Sequence, residues 1–338
     1  MASSSINSDS HYPLPAIRLI SWAAGHRWEL ALVVLYTLAS GIIRVYRLEE
    51  LPPGFHGDEA LTGLDAIRVM SQGWIGPYVG SALGQPTGPL YFTALLFEMS
   101  DPSLFTVRLS MALLGIATVP LTYVLFHLSF GRWIAIVGTI ALVTSFWHIH
   151  YSRTGFMVIS MPLIISVASL MLLLAMRSKR LWLWFVTGLV LGLGIYSYNG
   201  YPGFLLALAV FLGMQLWMLR SRWQQLTSRI ALLISGLCLV ALPMIQFARE
   251  SPDFYFSHFK LVSSFSDPRY MEAESAAEKL EYFRGRVWDS YTLLLRHPNI
   301  DFTDATGGRG ALHFLLALLA YLGLAVSAAR WRSPPHLL

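Results

Sequence analysis

The chain has 338 residues, of which 55% are hydrophobic and only 13% are charged. Soluble domains carry about 25% charged residues, so this composition excludes an ordinary soluble protein and predicts a polytopic membrane protein. The apolar runs do not alternate with polar residues, which argues against a transmembrane barrel. The net charge of +5 reflects arginines that flank apolar segments, and it gives no reason to expect nucleic acid as a partner.

Apolar runs of helix-spanning length predict an all-α bundle of about eight spans. They lie at residues 29–46, 104–127, 133–149, 156–176, 181–199, 202–219, 230–248 and 311–329. With the N-terminus in the cytoplasm, the basic residues that flank these spans in alternate loops all fall on the cytoplasmic side. The predicted divisions are a cytoplasmic tail (1–28), a transmembrane domain (29–330) and a C-terminal tail (331–338).

Two long loops, 47–103 and 249–310, fall on the opposite side of the predicted bundle. In the first loop, residues 59–71 have the periodicity of a short amphipathic helix. Residues 86–99 are apolar, but about 14 residues are too few to span a bilayer, so we expect a helix lying in the interface. In the second loop, residues 275–296 carry an apolar stripe that predicts another amphipathic helix.

An acidic pair follows the first predicted span, in the sequence Phe55-His56-Gly57-Asp58-Glu59-Ala60. Carboxylates at a membrane surface are costly, so a functional interpretation is favoured. A carboxylate at the start of a surface helix can accept a proton from a substrate hydroxyl, which makes Asp58 a candidate general base. The alternative is that Asp58 caps the helix, but a cap does not account for Glu59 and His56 beside it.

Arg153 ends the run His148-Ile149-His150-Tyr151-Ser152-Arg153, at the outer end of a predicted span. Arginine is under-represented on that side of a membrane. A guanidinium group matches phosphate with forked donors, so Arg153 is a candidate ligand of an anionic lipid headgroup. The alternative is snorkelling to lipid phosphates. Arg108, near the outer end of the second span, is a further candidate for the same phosphate.

A metal site is a weaker hypothesis. His148 and His150 are two residues apart and face away from each other on a helix, so a joint site is disfavoured and ordinary interfacial histidines are favoured. A divalent metal bound by Asp58, Glu59 and His150 stays open.

Polar and aromatic residues at the outer loop ends are candidates for a substrate pocket. They are His56, His148, His150, Tyr151, Tyr196, Tyr198 and Asn199. Tyrosines are also common at membrane interfaces, and Asn199-Gly200 is typical of a tight turn.

Several motifs resemble a known group of enzymes. They are Asp58-Glu59, Gly88-Pro89-Leu90-Tyr91, Val107-Arg108-Leu109 with Gly115, the run 117–124, the run 148–153, and Gly192-Leu193-Gly194-Ile195-Tyr196-Ser197-Tyr198. Together they resemble the GT-C superfamily membrane glycosyltransferases related to protein O-mannosyltransferases and aminoarabinose transferases (glycosyltransferase family 39-like), in a bacterial branch. The resemblance covers roughly residues 29–330.

The resemblance implies transfer of a sugar from a polyprenyl phosphate to an acceptor hydroxyl of a protein, lipid or glycan. Asp58 would be the catalytic base of an inverting displacement, Glu59 would position a substrate, and Arg153 would bind the donor phosphate. The bacterial branch implies the inner membrane, with the active site on the periplasmic or extracellular side.

Two other classes of function stay open. A carrier of lipid-linked sugars or other solutes is disfavoured, because transporters place ionisable groups near the midplane and are often built from repeats. Here the acidic pair lies in a loop and no repeat is visible. A binding subunit without catalysis would be favoured only if Asp58 were dispensable.

Overall fold

The structure is a computed structural model, which describes residues 27–218, 223–292, 295, 312 and 314–330. The predicted tails, 1–28 and 331–338, lie almost wholly outside the described residues, as does part of loop 249–310. The described residues are predominantly helical, which confirms the all-α class.

The described helices run in chain order as follows: α1 Arg27–Val45, α2 Gly57–Gln72, α3 Gly88–Met99, α4 Leu104–Phe130, α5 Arg132–Thr144, α6 Phe146–Arg153, α7 Ser160–Arg177, α8 Trp182–Gly194, α9 Tyr201–Met218, α10 Trp223–Glu250, α11 Pro252–Tyr255, α12 Ser257–Val262, α13 Pro268–Met271, α14 Ala276–Thr292 and α15 Phe314–Ala329. Three 3₁₀ turns lie at Ser81–Leu83, Met157–Ile159 and Ser264–Ser266. The strands β1 Tyr78–Val79 and β2 Gln85–Pro86 form an antiparallel pair in which Tyr78 faces Pro86.

The predicted count of about eight spans is not confirmed. In the part of the chain that the structure describes, five helical segments are long and apolar enough to cross a membrane, namely α1, α4, α9, α10 and the segment Met157–Arg177 that contains α7. Helices α5 and α6 make a sixth if they are one span bent by 50°. Helices α8 and α15, which coincide with two of the predicted spans, are apolar but have only 13 and 16 residues.

Both helices predicted in loop 47–103 are present, as α2 and α3. They pack on the beginning of α4 through one apolar cluster. This cluster contains Ala66 and Val69 of α2, Leu90, Ala94 and Phe97 of α3, and Val107 and Met111 of α4. Removing apolar side chains from water stabilises such contacts by about 25 cal/mol per Å². The loop is therefore a packed layer on one end of the bundle, and it positions the residues at the start of α2.

Helices α8 and α10 approach each other closely because both carry glycine at the contact. A Cβ added at Gly188 would lie 2.0 Å from the carbonyl oxygen of Leu233, and one at Gly236 would lie 2.3 Å from that of Phe185. Small residues allow membrane helices to pack backbone against backbone. This contact holds the middle of α8 against α10, and the loop 195–200 leads from the end of α8 into the site.

We expect Gly188→Ala to destabilise the protein by about 1–3 kcal/mol, because the new methyl group overpacks the helix contact. The matched control is Gly213→Ala in α9, where an added Cβ meets nothing within 4 Å. That change should be neutral or stabilising by up to about 1 kcal/mol. Thermal unfolding of the detergent-purified variants measures both, and equal melting temperatures would contradict the packing described.

Candidate active site

A cavity of about 370 Å³ opens at the end of the bundle where α1 and α8 end and α4, α7 and α9 begin. Its wall comes from five parts of the chain: the start of α2, the β1–β2 hairpin, the segment 151–158 before α7, the loop between α8 and α9, and α12. The lining residues are His56, Asp58, Thr62, Ala82, Gly84, Gln85, Tyr151, Phe156, Met157, Val158, Tyr198, Asn199 and His258.

His56, and not Asp58, caps helix α2. The Nδ1 atom of His56 accepts a hydrogen bond from the Asp58 amide at 3.1 Å, and the Glu59 carboxylate accepts one from the His56 amide at 3.1 Å. This reciprocal pair is a capping box. The capping alternative for Asp58 is therefore wrong. Its carboxylate is 42% exposed and lines the cavity, so it is available to a substrate.

The hydrogen bond that caps α2 also determines which ring nitrogen of neutral His56 carries the proton. Because Nδ1 accepts an amide hydrogen, the ring proton of the neutral imidazole lies on Nε2. Nδ1 is 3.9 Å from the Asp58 carboxylate and cannot donate to it in this arrangement. The His56 ring packs against Phe156, with centroids 4.8 Å apart. His56 thus shapes the cavity and leaves the Asp58 carboxylate free to accept a proton.

Glu59 points away from the cavity into a buried ion pair with Arg108, and each residue is only 1% exposed. The Nε atom of Arg108 donates to Glu59 Oε1 at 2.9 Å, and a terminal nitrogen donates to Oε2 at 3.0 Å. Glu59 also accepts from the Gly155 amide at 2.8 Å. Burial by itself would raise the pKa of Glu59, but Arg108 and the Gly155 and His56 amides outweigh it and lower that pKa.

The remaining donors of Arg108 bind the loop between α1 and α2. They reach the carbonyl oxygens of Leu48 at 3.0 Å, Pro52 at 3.1 Å and Gly54 at 2.8 Å. All five N–H groups of this guanidinium are therefore used within the protein. The phosphate role predicted for Arg108 is not favoured by this geometry, which gives Arg108 the task of holding the loop that leads to Asp58.

Arg153 has a similar arrangement. Its guanidinium donates to the carbonyl oxygens of Ile43, Tyr46 at 2.6 Å and Leu51 at 3.0 Å. The side chain is 8% exposed and does not line the cavity. Arg153 therefore satisfies main-chain carbonyl groups at the carboxyl end of α1 and in the loop that follows it. The structure does not bring Asp58 and Arg153 to one cavity, so the phosphate role predicted for Arg153 gains no support from its position.

The other candidates divide into two groups. His56, Tyr151, Tyr198 and Asn199 line the cavity, as a substrate pocket would require.

His148, His150 and Tyr196 do not line it. His148 is buried, with Nδ1 2.7 Å from a terminal nitrogen of Arg44, and the Tyr196 hydroxyl donates to the Val240 carbonyl at 2.8 Å. Among the described residues, no group of three or more His, Cys, Asp or Glu side chains is placed to hold a metal ion. The hypothetical set of Asp58, Glu59 and His150 is not brought together, because Glu59 is turned towards Arg108.

The hairpin tip and His258 are cavity residues that the sequence analysis missed. Ala82 and Leu83 have φ angles of 50° and 64°, and the Asn199 amide donates to the Gly84 carbonyl at 2.7 Å. Non-glycine residues in this left-handed region are uncommon and often mark functional sites. His258 lies on α12 in the second long loop. Its sequence neighbourhood is aromatic and carries no motif, so only the three-dimensional structure reveals it.

A second hollow, of about 790 Å³, adjoins the cavity. It is mainly aromatic and lies at the beginning of the membrane-spanning helix α9. Its lining residues are Tyr78, Tyr198, Asn199, Gly200, Pro202, Gly203, Tyr255, Phe256, His258 and Phe259. We call it the aromatic groove. The cavity and the groove share Tyr198, Asn199 and His258, so a single molecule can occupy both.

Comparison with known proteins supports the same group of enzymes as the motifs. Residues 84–246 match the family of dolichyl-phosphate-mannose-protein mannosyltransferases. The fold is similar to a crystal structure of the Archaeoglobus fulgidus oligosaccharyltransferase tethered to an acceptor peptide, with a TM-score of 0.55 and 14% sequence identity. The family match, which covers less than half of the chain, and the similarity of fold both agree with the resemblance stated from the motifs.

The extent of these matches is limited. The comparison with the oligosaccharyltransferase covers 94% of this chain but only 46% of that protein. The family match begins after Asp58 and ends before His258. No curated protein matches the sequence.

Proposed function

We propose that this protein transfers a sugar from a polyprenyl phosphate to an acceptor hydroxyl, with Asp58 as the base. The observation that carries the proposal is the continuity of the two hollows. The polar cavity presents the Asp58 carboxylate, and the aromatic groove leads from it to the start of α9. A lipid-linked sugar has this same division, with a polar head and an apolar tail. The GT-C resemblance and the family match to mannosyltransferases support the same assignment.

In the proposed reaction, the sugar lies in the cavity with its anomeric carbon between the acceptor hydroxyl and the donor phosphate. Asp58 accepts the hydroxyl proton as the acceptor oxygen bonds to the anomeric carbon. The bond from that carbon to the phosphate oxygen breaks, and its electron pair leaves with the polyprenyl phosphate. A single displacement inverts the configuration. Hydrogen-bond donors near the leaving phosphate stabilise its developing charge.

The proposal places the cavity on the non-cytoplasmic side of the membrane. Basic residues where α4 is followed by α5 and where α7 is followed by α8 lie at the other end of the bundle, namely Arg132, Arg177, Lys179 and Arg180. Exposed Lys and Arg near span ends favour the cytoplasmic side. Three arginines at the cavity end, Arg44, Arg108 and Arg153, are buried and paired within the protein, and the exposed Arg47 is paired with Glu50. In a bacterium this assigns the site to the periplasmic or extracellular face.

The proposed function is tested with purified protein in liposomes. The substrates are radiolabelled polyprenyl-phosphate sugars or the matching nucleotide sugars, each with candidate acceptor peptides, lipids and glycans. We expect transfer only from the lipid-linked donors. We also expect KM to rise by about tenfold or more when the polyprenyl chain is cut to one or two isoprene units, because contacts in the groove are lost. Transfer from nucleotide sugars would overturn the proposal. A donor affinity that does not depend on the phosphate or on the length of the polyprenyl chain would overturn it as well.

A further inference from the structure

We infer that His258 binds the donor phosphate at the point where the cavity joins the aromatic groove. This inference rests on the proposed function, because it concerns the donor of that reaction. It assigns to a histidine of the second long loop the task that sequence reasoning gave to Arg153 and Arg108.

The position of the phosphate follows from the connectivity of the donor. In a polyprenyl-phosphate sugar, the phosphate is the only link between the sugar and the apolar tail. If the sugar lies beside Asp58 and the tail lies in the aromatic groove, the phosphate must lie where the two hollows meet. The residues that line both hollows are Tyr198, Asn199 and His258.

Charge selects His258 among the residues that line the two hollows. Only His56 and His258 have side chains that can become cationic there. His56 lies beside Asp58, and its Nδ1 is used to cap α2. Arg108 and Arg153 donate to main-chain carbonyls behind the cavity. Lys260, two residues after His258, is paired with Asp253 at 2.8 Å. The donor phosphate is a diester with one negative charge, and it requires hydrogen-bond donors, of which charged donors are the stronger ones.

His258 also has an unused polar atom. Its Nδ1 is enclosed and has no hydrogen-bond partner among the described residues. Buried polar atoms nearly always have a partner, so the imidazole of His258 keeps an unsatisfied hydrogen-bonding capacity where the two hollows meet. A phosphate oxygen is an acceptor of the right kind for an imidazole N–H.

Tyr198 supplies a second donor at the same place. Burial, together with the negative charge of Asp58, raises the pKa of the Tyr198 hydroxyl. The phenol therefore keeps its proton at neutral pH and can donate to a phosphate oxygen. Asn199 has a different task, since its amide nitrogen donates to the Gly84 carbonyl. The junction thus offers an imidazole and a phenol to one phosphate group.

The test compares the binding of polyprenyl phosphate and of the neutral polyprenol to the full chain in detergent, by isothermal titration calorimetry. Loss of one charged hydrogen bond should weaken polyprenyl phosphate binding to His258→Ala by about 10- to 100-fold, with polyprenol binding unchanged. His258→Arg should restore phosphate binding. Lys260→Ala on the same helix is the matched control and should bind both ligands as the wild type does.

Equal phosphate affinity in His258→Ala and wild type would overturn the inference. So would an equal loss of phosphate and polyprenol binding, since that indicates a packing role. If His258→Ala does not fold, His258→Phe replaces it with the same expected results, because phenylalanine keeps a ring but has no hydrogen-bond donor.

The two proposals can fail separately. Wild-type transfer together with unchanged phosphate binding by His258→Ala rejects only the role of His258. A wild-type protein that binds polyprenol as tightly as polyprenyl phosphate rejects the proposed function as well.

Discussion

Asp58→Asn should lower kcat for sugar transfer by about 10²- to 10⁴-fold, the usual contribution of a general base. Asparagine has nearly the same shape as aspartate but cannot accept the hydroxyl proton. Because Asp58 does not cap α2, the change leaves the capping box of His56 and Glu59 intact. Donor binding should therefore stay close to that of the wild type, and the loss should appear in kcat. Initial rates at saturating donor, with a separate binding measurement, give both quantities.

The matched control is Asp101→Asn, at an exposed position shortly before α4 on the same side of the bundle. Asp101 does not line the cavity, so transfer should be unchanged. An Asp58→Asn protein with wild-type kcat would remove Asp58 from the mechanism. A protein that has lost donor binding instead would assign Asp58 to substrate recognition.

Arg108→Ala should lower the free energy of unfolding by about 3–5 kcal/mol, because it leaves the Glu59 carboxylate buried and unpaired. The carbonyls of Leu48, Pro52 and Gly54 lose their donors in the same step. Chemical unfolding of the protein in detergent, followed by tryptophan fluorescence, measures the change. The control is Glu50→Gln, which breaks the exposed pair between Arg47 and Glu50. Exposed pairs contribute about 0–1 kcal/mol, so the control should differ little from the wild type.

A double variant, Arg108→Met with Glu59→Leu, separates charge from packing. It leaves no lone buried charge, so it should be less destabilised than Arg108→Ala. If Arg108→Ala and Glu50→Gln had equal effects, the buried pair would not be the structural element described above.

Because the pKa of Glu59 is lowered in the folded protein, the free energy of unfolding should depend on pH. A carboxyl whose folded pKa is depressed stabilises the protein fully above its unfolded pKa, which is about 4.3. That stabilisation is lost as the pH falls through the folded pKa. Glu59→Gln should therefore lose less stability than the wild type when the pH is lowered from about 5 into this range.

Much of the fold can be predicted from the sequence because the signals are local. Apolar length predicts the spans and the shorter interfacial helix α3, and helical periodicity predicts α2 and α14. The exposed position of Asp58 at the start of α2 follows from the same pattern. The span count is less well predicted, because α8 and α15 are apolar runs that form helices shorter than the run itself.

The roles of the arginines could not be predicted in the same way. Arg108 and Arg153 each donate to main-chain carbonyl oxygens more than 50 residues away in the chain. Every residue has such a carbonyl, so the sequence cannot indicate which ones an arginine will bind. The motif around Arg153 therefore suggested a ligand, whereas its partners are the end of α1 and the loop after it. His258 was missed for the complementary reason, since its role depends on two hollows that meet only in the folded chain.

The central claim is that the sugar of a polyprenyl-phosphate donor occupies the cavity beside Asp58. The most direct test uses Ala82→Cys in the cavity wall, made with Cys238→Ser because Cys238 is the only native cysteine. Its maleimide labelling rate is compared with that of Ser71→Cys, an exposed position on α2 outside the cavity. We predict that a polyprenyl-phosphate sugar slows labelling at position 82 and leaves position 71 unchanged. Equal labelling at position 82 with and without saturating donor would contradict the account.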